Sequence, residues 1–203
     1  MSAAPVLAAR PASAEPVAGL IGPNTVLQTE AALIAEGGPE LARRVFERAG
    51  LAALLRNRPE AMIDQALARA LFDALFAELP EPRARTLAAE AGRLTGAYIL
   101  AHRIPKAAQA ILKLLPARLA GPMLLKSIAR HAWTFAGSGV CAVDAGPPVQ
   151  LTITGNPIAI PGCVWHAGVL EVLFQTLVSA KAQVRHTRCE HAGARACTFE
   201  VAL

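Results

Sequence analysis

The stretch AWTFAGSGVCAVDAGPPVQLTITGNP, residues 132–157, marks a change in the character of the chain and decides its fold class. It contains β-branched and aromatic residues and glycine turns, and Val149, Leu151 and Ile153 alternate with polar residues, which is typical of strands joined by a hairpin. The chain before it is rich in alanine and leucine at helical spacing. Helices followed by a small antiparallel sheet indicate an α+β domain.

Turn and capping residues place the other elements. Helical segments are predicted before the stretch at 24–36, 39–49, 59–79, 83–103 and 105–130, and two prolines divide the last of these. After the stretch, a helix that starts near Cys163 is expected to cross the sheet, and strands follow at 182–188 and 196–202. We expect residues 1–23 to be a disordered tail and residues 24–203 to form a single ligand-binding domain.

The composition is unusually apolar. Hydrophobic residues make up 54% of the 203 residues and charged residues 17%, which indicates either a deeply buried core or contact with a membrane. Charged residues and prolines interrupt the longest apolar segment, 107–125, so no run reaches the roughly 18 apolar residues of a spanning helix. We therefore predict no transmembrane segment. The N-terminus lacks the basic start of a signal peptide, so we expect a cytoplasmic protein with reduced cysteines.

Positive charge is concentrated in one part of the chain. The net charge is +5, and no acidic residue occurs between Glu90 and Asp144. The segment indicates an anionic partner, either a lipid surface or a ligand carboxylate, or else a solvated basic face. Nucleic acid is not expected, because no stacking platform or recognition helix accompanies the cations. Those cations are Arg93, Arg103, Lys106, Lys113, Arg118, Lys126 and Arg130.

Three cysteines are spaced so that the fold can bring them together. Cys163 lies at a predicted helix start, where the helix dipole should lower the pKa of its thiol. Cys189 and Cys197 flank the turn of the last hairpin. Zinc prefers four such ligands in a tetrahedron, and His186 is the best candidate for the fourth. The alternative is a set of buried free thiols. Less favoured fourth ligands are Glu190, His191 and Cys141.

One geometric condition applies to His186. Side chains alternate between the two faces of a strand, so His186 and Cys189 would point to opposite sides of an ideal strand. Both can bind one ion only if the strand ends or bulges before Cys189. The sequence Glu-His-Ala-Gly at 190–193 favours such a break.

The order of Cys163, a helix, the run His186-Thr-Arg-Cys189, a seven-residue hairpin and the run Cys197-Thr-Phe-Glu-Val resembles the 4-vinyl reductase domain, a small-molecule-binding module. The resemblance implies a fold similar to Bet3-type trafficking subunits and haem-nitric-oxide-binding domains, and a homodimer formed through the helical layer. Zinc-bearing members use a cysteine at the helix start, an acidic residue three before the next cysteine, and the hairpin cysteine pair. The three cysteines match these positions, whereas His186 stands at the acidic one.

The resemblance also implies a ligand from chlorophyll synthesis, because the domain is named for reduction of a vinyl group of divinyl protochlorophyllide. The sequence contains no Gly-x-Gly-x-x-Gly motif and no phosphate-binding loop, so no hydride-donor site is visible. We therefore expect a protein that binds or delivers such a magnesium tetrapyrrole, with zinc as a structural ion. The alternatives are a vinyl reductase that uses an external reductant and a scaffold that docks pigment enzymes at the inner or photosynthetic membrane.

Residues of the basic segment are candidates for contact with the tetrapyrrole. Arg103, Lys126 and Arg130 could bind a propionate of the macrocycle, and His131 could donate an axial nitrogen to its magnesium. His102 and His166 could serve the same axial role, although a lone histidine is more often structural.

Overall fold

The computed structural model describes residues 19–203, and residues 1–18 of the predicted tail lie outside this range. The described helices are α1 (Asn24–Arg48), α2 (Gln65–Glu78), α3 (Glu81–His102), α4 (Lys106–Leu114), α5 (Ala117–Arg130), α6 (Trp133–Ala136) and α7 (Val164–Leu177). The strands are β1 (Leu20–Ile21), β2 (Ile63–Asp64), β3 (Val140–Asp144), β4 (Val149–Thr154), β5 (Gln183–Arg188) and β6 (Cys197–Ala202). The predicted α+β class is confirmed. None of the described helices is both long enough and apolar enough to cross a bilayer.

The helix α1 spans both helices that the glycine pair predicts. Gly37 and Gly38 leave helical geometry, and Gly38 adopts a φ of 73°, a conformation that glycine tolerates without steric cost. Pro39 then begins the second half of the helix. The chain therefore bends at the predicted stop without separating into two elements.

The helix α2 begins at Gln65, later than the predicted start at Pro59. The carboxylate of Asp64 caps it by accepting a hydrogen bond of 2.8 Å from the Ala66 N–H. The strand β2, directly before it, pairs with β1. Because Ile21 of β1 is fully buried, the fold begins inside the predicted 1–23 tail rather than at residue 24.

The start of the quoted stretch is helical rather than extended. Residues 133–136 form the single turn α6, although their aromatic and β-branched side chains are typical of a strand. The Thr134 carbonyl oxygen accepts a hydrogen bond of 2.8 Å from the Gly22 N–H, so this turn packs beside β1. Tertiary packing therefore outweighs the local composition here, and the sheet starts only at Val140.

A four-stranded antiparallel sheet, in the order β3-β4-β6-β5, carries the C-terminal part of the core. Alternate residues of the two central strands are buried, as the side-chain period of a strand requires. Cys197 lies on this buried face, paired with Ile153 of β4. The buried residues of the two strands are Val149, Leu151, Ile153, Cys197, Thr198, Phe199 and Val201.

The helix α7 packs so closely against α3 that the contact requires glycine on both helices. A Cβ atom at Gly92 of α3 would collide with the Trp165 carbonyl oxygen, and one at Gly168 of α7 would collide with the Ala89 carbonyl oxygen. Close-packed interiors cannot absorb such overlaps without a backbone shift. The contact thereby fixes the position of α7, whose first turn follows directly on Cys163.

Candidate metal centre and ligand groove

Cys163 occupies an unusual backbone position. It closes a 3-10 turn, Pro161–Cys163, and directly precedes α7. Its φ of 43° and ψ of 36° are left-handed, a conformation that residues other than glycine rarely adopt. Its side chain is fully buried and makes no capping hydrogen bond to the helix. Such positions persist where the surrounding structure enforces them, and they cluster at functional sites.

The last hairpin supplies three further side chains. Cys197 is the first residue of β6, Cys189 directly follows β5, and His186 lies within β5. The pairing of β5 with β6 shifts register between His186 and Arg188. The resulting bulge interrupts the alternation of side chains before Cys189. The geometric condition for a shared site is therefore met.

Four potential ligand atoms converge at one point. The sulfurs of Cys163, Cys189 and Cys197 and a ring nitrogen of His186 all lie within 4.8 Å of one another. The Cys163 Sγ is 3.8 Å from the Cys189 Sγ and 3.1 Å from the Cys197 Sγ. Zinc–sulfur bonds of about 2.3 Å give a tetrahedral edge of roughly 3.8 Å. The first separation matches that edge, and the shorter second one corresponds to a hydrogen bond between the two sulfurs.

The less favoured ligands lie outside this cluster. The Glu190 carboxylate accepts hydrogen bonds from the backbone N–H groups of Gly155, at 2.7 Å, and Asn156, at 2.8 Å, and so joins the end of β4 to the hairpin. His191 is exposed. Cys141 lies on β3, where burial raises the pKa of its thiol to about 12. None of the three belongs to the group of converging ligand atoms.

The donor set fits zinc. The buried Nε2 of His186 has no hydrogen-bond partner among the described residues, and such a nitrogen is costly to bury unless something binds it. Outer hydrogen bonds hold the sulfurs, since the Glu190 N–H donates to Cys197 Sγ at 3.4 Å and the Asn156 amide to Cys163 Sγ at 3.9 Å. Three cysteines and one histidine form a closed structural zinc site, which leaves no ligand position for a substrate.

The thiol protons are shared unevenly within the cluster. The pKa of Cys197 is lowered to about 3, first because the Cys163 thiol donates a hydrogen bond to its sulfur. The pKa of Cys163 is raised, first by that hydrogen bond and then by burial and the charge on Cys197. The prediction that the helix start lowers the Cys163 pKa is therefore wrong. Its side chain caps no amide of α7, so the neighbouring thiolate outweighs the helix dipole.

A second candidate site is an open groove of about 700 Å³ between the first half of α1, the loop at 58–60 and the end of α3. Pockets of about 300–1,000 Å³ hold ligands of drug size. One wall is apolar and the rim carries both signs of charge. The side chains used below are Leu27, Ala31, Ile34, Glu30, Arg58, Tyr98 and Arg103.

Among the four residues predicted to contact a tetrapyrrole, Arg103 lines this groove. Its guanidinium carbon lies 5.8 Å from the centre of the Tyr98 ring, within cation–π range. The ring of His102 lies 4.7 Å from the same tyrosine. The end of α3 thus presents a cation that is oriented by an aromatic ring.

The other three predicted contacts lie elsewhere. Lys126 and Arg130 are exposed on α5, and His131 is exposed directly after it. The Nδ1 of His131 is 2.9 Å from the Ser127 carbonyl oxygen, so the imidazole folds back onto its own helix. The structure does not bring these residues together with Arg103 in the groove.

His166 is a core residue. It is almost completely buried, and its Nε2 lies 3.3 Å from the Phe135 carbonyl oxygen. Burial lowers the pKa of His166 to about 4, so the ring is neutral at pH 7. Its ring packs against those of Trp165 and Phe199, which leaves no space for a macrocycle beside it.

Sequence reasoning missed two charged residues of the groove. Glu30 is almost fully buried, and its Oε1 pairs with Nη2 of Arg58 at 2.8 Å. The two residues are 28 positions apart and belong to no recognisable motif. The one available signal is that Glu30 stands between Val26 and Leu33 at helical spacing, on what is otherwise the apolar face of α1.

Comparison with known proteins supports the resemblance seen in the sequence. Residues 156–203, which contain all four converging residues, match the 4-vinyl reductase domain family. The chain is 42% identical over 192 residues to a protein of Cereibacter sphaeroides named "Bacteriochlorophyll synthase 23 kDa chain", covering 91% of both chains. It is 37% identical over 184 residues to the protein of the same name from Rhodobacter capsulatus, covering 88% of this chain and 85% of that one.

Solved structures agree at the level of the fold. An H-NOX protein from S. oneidensis in the Fe(II)NO ligation state aligns with a TM-score of 0.54 at 13% identity, over 90% of this chain and 99% of that one. A mutant H-NOX protein from S. oneidensis in the Fe(II) ligation state aligns with a TM-score of 0.53 at 14% identity, over 90% and 96%. The predicted similarity to haem-nitric-oxide-binding domains is therefore confirmed for the fold. The chain belongs to the 4-vinyl reductase domain family, together with the bacteriochlorophyll synthase 23 kDa chains of these bacteria.

Proposed function

We propose that this protein binds a magnesium tetrapyrrole of the divinyl protochlorophyllide class and delivers it within bacteriochlorophyll synthesis. The observation that carries the proposal is the 42% identity, over 91% of the chain, to a protein named as a chain of bacteriochlorophyll synthase. The groove between α1 and α3 supplies a cavity of suitable size and chemistry for such a ligand.

The groove offers complementary surfaces for a flat amphipathic molecule. Leu27, Ala31 and Ile34 provide an apolar wall for the macrocycle. Arg103 provides a planar guanidinium that can donate two parallel hydrogen bonds to a propionate carboxylate. Arg58 is already paired with Glu30, so Arg103 is the cation that an incoming carboxylate would meet.

In this proposal a zinc ion held by Cys163, Cys189, Cys197 and His186 has a structural role. It would tie the first turn of α7 to the β5–β6 hairpin, which are separated by the rest of α7 in the chain. None of the four ligands lines the groove, so the ion takes no part in the chemistry of the bound pigment.

The direct test is a spectroscopic titration of protochlorophyllide with the purified protein. A shifted Soret band and pigment that stays with the protein through gel filtration are the expected results at micromolar concentrations. An unshifted spectrum together with no retained pigment would overturn the proposal.

A second candidate function is the substrate-binding part of a vinyl reductase. The name of the relatives, which describes one chain of a synthase, favours a protein that works together with others. Conversion of a vinyl to an ethyl group consumes two electrons and two protons, which reduced nicotinamide or ferredoxin and water would have to supply. Incubation of the protein and divinyl substrate with each reductant separates the two functions, since only a reductase forms the monovinyl product.

A further inference from the structure

The helices α4 and α5 carry an exposed apolar surface that the proposed function does not use. Ile111 and Leu114 on α4 and Leu119 and Met123 on α5 are each at least 50% exposed, and Leu114 reaches 85%. They account for four of the seven large apolar side chains that are exposed among residues 19–203. A cluster of this kind marks an interaction site.

The apolar residues are grouped by helical spacing rather than scattered. Ile111 and Leu114 are three residues apart, and Leu119 and Met123 are four apart, so each pair shares one side of its helix. The opposite side of α4 is anchored, because Leu112 and Gln109 are buried there. The two pairs stand on either side of the bend at Pro116, so the bend itself is the most protruding part.

The same two helices are uniformly cationic. Lys106 and Lys113 belong to α4, and Arg118, Lys126 and Arg130 belong to α5. Within the described part of the chain, none of these five forms an ion pair. Lys126 and Arg130 continue the helical stripe of Leu119 and Met123, at seven and eleven residues beyond Leu119. Apolar side chains are therefore bordered by charge of a single sign.

We infer that the surface formed by α4 and α5, residues 106–130, docks on an anionic phospholipid bilayer. Short amphipathic helices with an apolar side and a basic border bind in the plane of the interface and bury their apolar side chains at the boundary of headgroups and acyl chains. The isolated protrusion of Leu114 suits insertion between lipids better than a fit into another protein. The cations complement anionic headgroups, and removal of each one weakens binding about fivefold.

Docking through this surface places the pigment groove next to the bilayer, because Arg103 precedes α4 by only three residues. The inference stands apart from pigment binding, since none of the residues that carry it lines the groove. Vesicle binding can therefore fail while pigment binding succeeds, and the reverse also holds.

The test is co-sedimentation of the pigment-free protein with vesicles of phosphatidylcholine alone and of phosphatidylcholine mixed with phosphatidylglycerol. We expect binding to the mixed vesicles only, with weakening at high salt. Leu114→Ser combined with Met123→Ser should abolish it. Lys113→Gln combined with Lys126→Gln should weaken it about twentyfold or more. The matched controls are Val140→Ser, an exposed apolar residue on β3, and Arg56→Gln combined with Lys181→Gln.

Either of two results would overturn the inference. One is the absence of binding to the mixed vesicles. The other is binding that the control variants reduce as much as the α4–α5 variants do. If the wild-type protein is instead a dimer that Leu114→Ser with Met123→Ser converts to a monomer, a second copy of the chain covers this surface and the bilayer does not. Thermal unfolding of each variant verifies that the fold is retained.

Discussion

Cys189 is the ligand whose replacement tests the metal centre with the least damage to the core. It is half-buried, whereas Cys163 and Cys197 are fully buried. We expect the protein purified without added metal to contain about one zinc ion per chain, and Cys189→Ser to contain much less, because a serine hydroxyl is a poor zinc ligand. Elemental analysis measures both values.

The matched control is Cys141→Ser, which replaces a half-buried thiol outside the cluster. Its zinc content should equal that of the wild-type protein. A Cys189→Ser protein with undiminished zinc would show that the metal is held elsewhere, and zinc-free wild-type protein would reduce the cluster to a set of buried thiols.

His166 predicts a dependence of stability on pH. Its pKa is lowered to about 4 by burial, whereas the unfolded chain takes up a proton near the ordinary value of 6.5. The free energy of unfolding should therefore be fully supported above pH 6.5 and should fall as the pH drops towards 4, by up to about 3 kcal/mol.

Urea unfolding across this pH range measures the effect. The variant His166→Gln should show a shallower decline than the wild type, because it lacks the group that protonates on unfolding. His131→Gln replaces an exposed histidine and should keep the wild-type slope. Identical slopes for the wild type and His166→Gln would contradict the assignment of a neutral buried imidazole.

At this scale the sequence predicts the metal ligands well and the ligand-binding residues poorly. Cysteines near a hairpin turn are close together wherever the hairpin forms, so the spacing of Cys189 and Cys197 carries spatial information. Glu30 and Arg58 meet only because α1 packs beside the loop at 58–60, and no local pattern encodes that contact.

The contact between α3 and α7 gives a prediction for these elements. Gly92→Ala places a Cβ against the Trp165 carbonyl oxygen, so the helices must move apart. We expect a loss of about 1–3 kcal/mol in the free energy of unfolding, measured by chemical denaturation.

Gly121→Ala on α5 is the control for this change. Its new Cβ would meet only the end of the Leu203 side chain, which can rotate away. Because alanine is about 1 kcal/mol better than glycine inside a helix, this variant should be neutral or more stable. Equal effects of the two substitutions would show that the α3–α7 contact has no special tightness.

Element prediction succeeds where the apolar period is long and fails where elements are short. The periodicity of α3 and α7 and the alternation of β4 extend over enough residues to identify them. The strands β1 and β2 have two residues each and lie over 40 positions apart, so their pairing has no local signature. The turn α6 has the composition of a strand and becomes helical through its packing beside β1.

At the scale of the whole molecule, the metal cluster, the groove and the α4–α5 surface are formed by different parts of one fold. The cluster joins α7 to the last hairpin, the groove opens between α1 and α3, and the exposed surface belongs to residues 106–130. This separation allows each function to be removed by substitution without loss of the others. The homodimer expected from the family resemblance stays a prediction, which sedimentation velocity of the full chain would test.

The central claim is that a tetrapyrrole binds in the groove with its carboxylate on Arg103. The most direct measurement is a protochlorophyllide titration of three proteins: the wild type, Arg103→Gln and Arg130→Gln. Arg130 is an exposed arginine on α5 outside the groove and serves as the matched control. We predict that Arg103→Gln weakens pigment binding about tenfold, as expected for a lost hydrogen bond to a charged group, and that Arg130→Gln leaves it unchanged. Equal affinity of Arg103→Gln and the wild type would contradict the account.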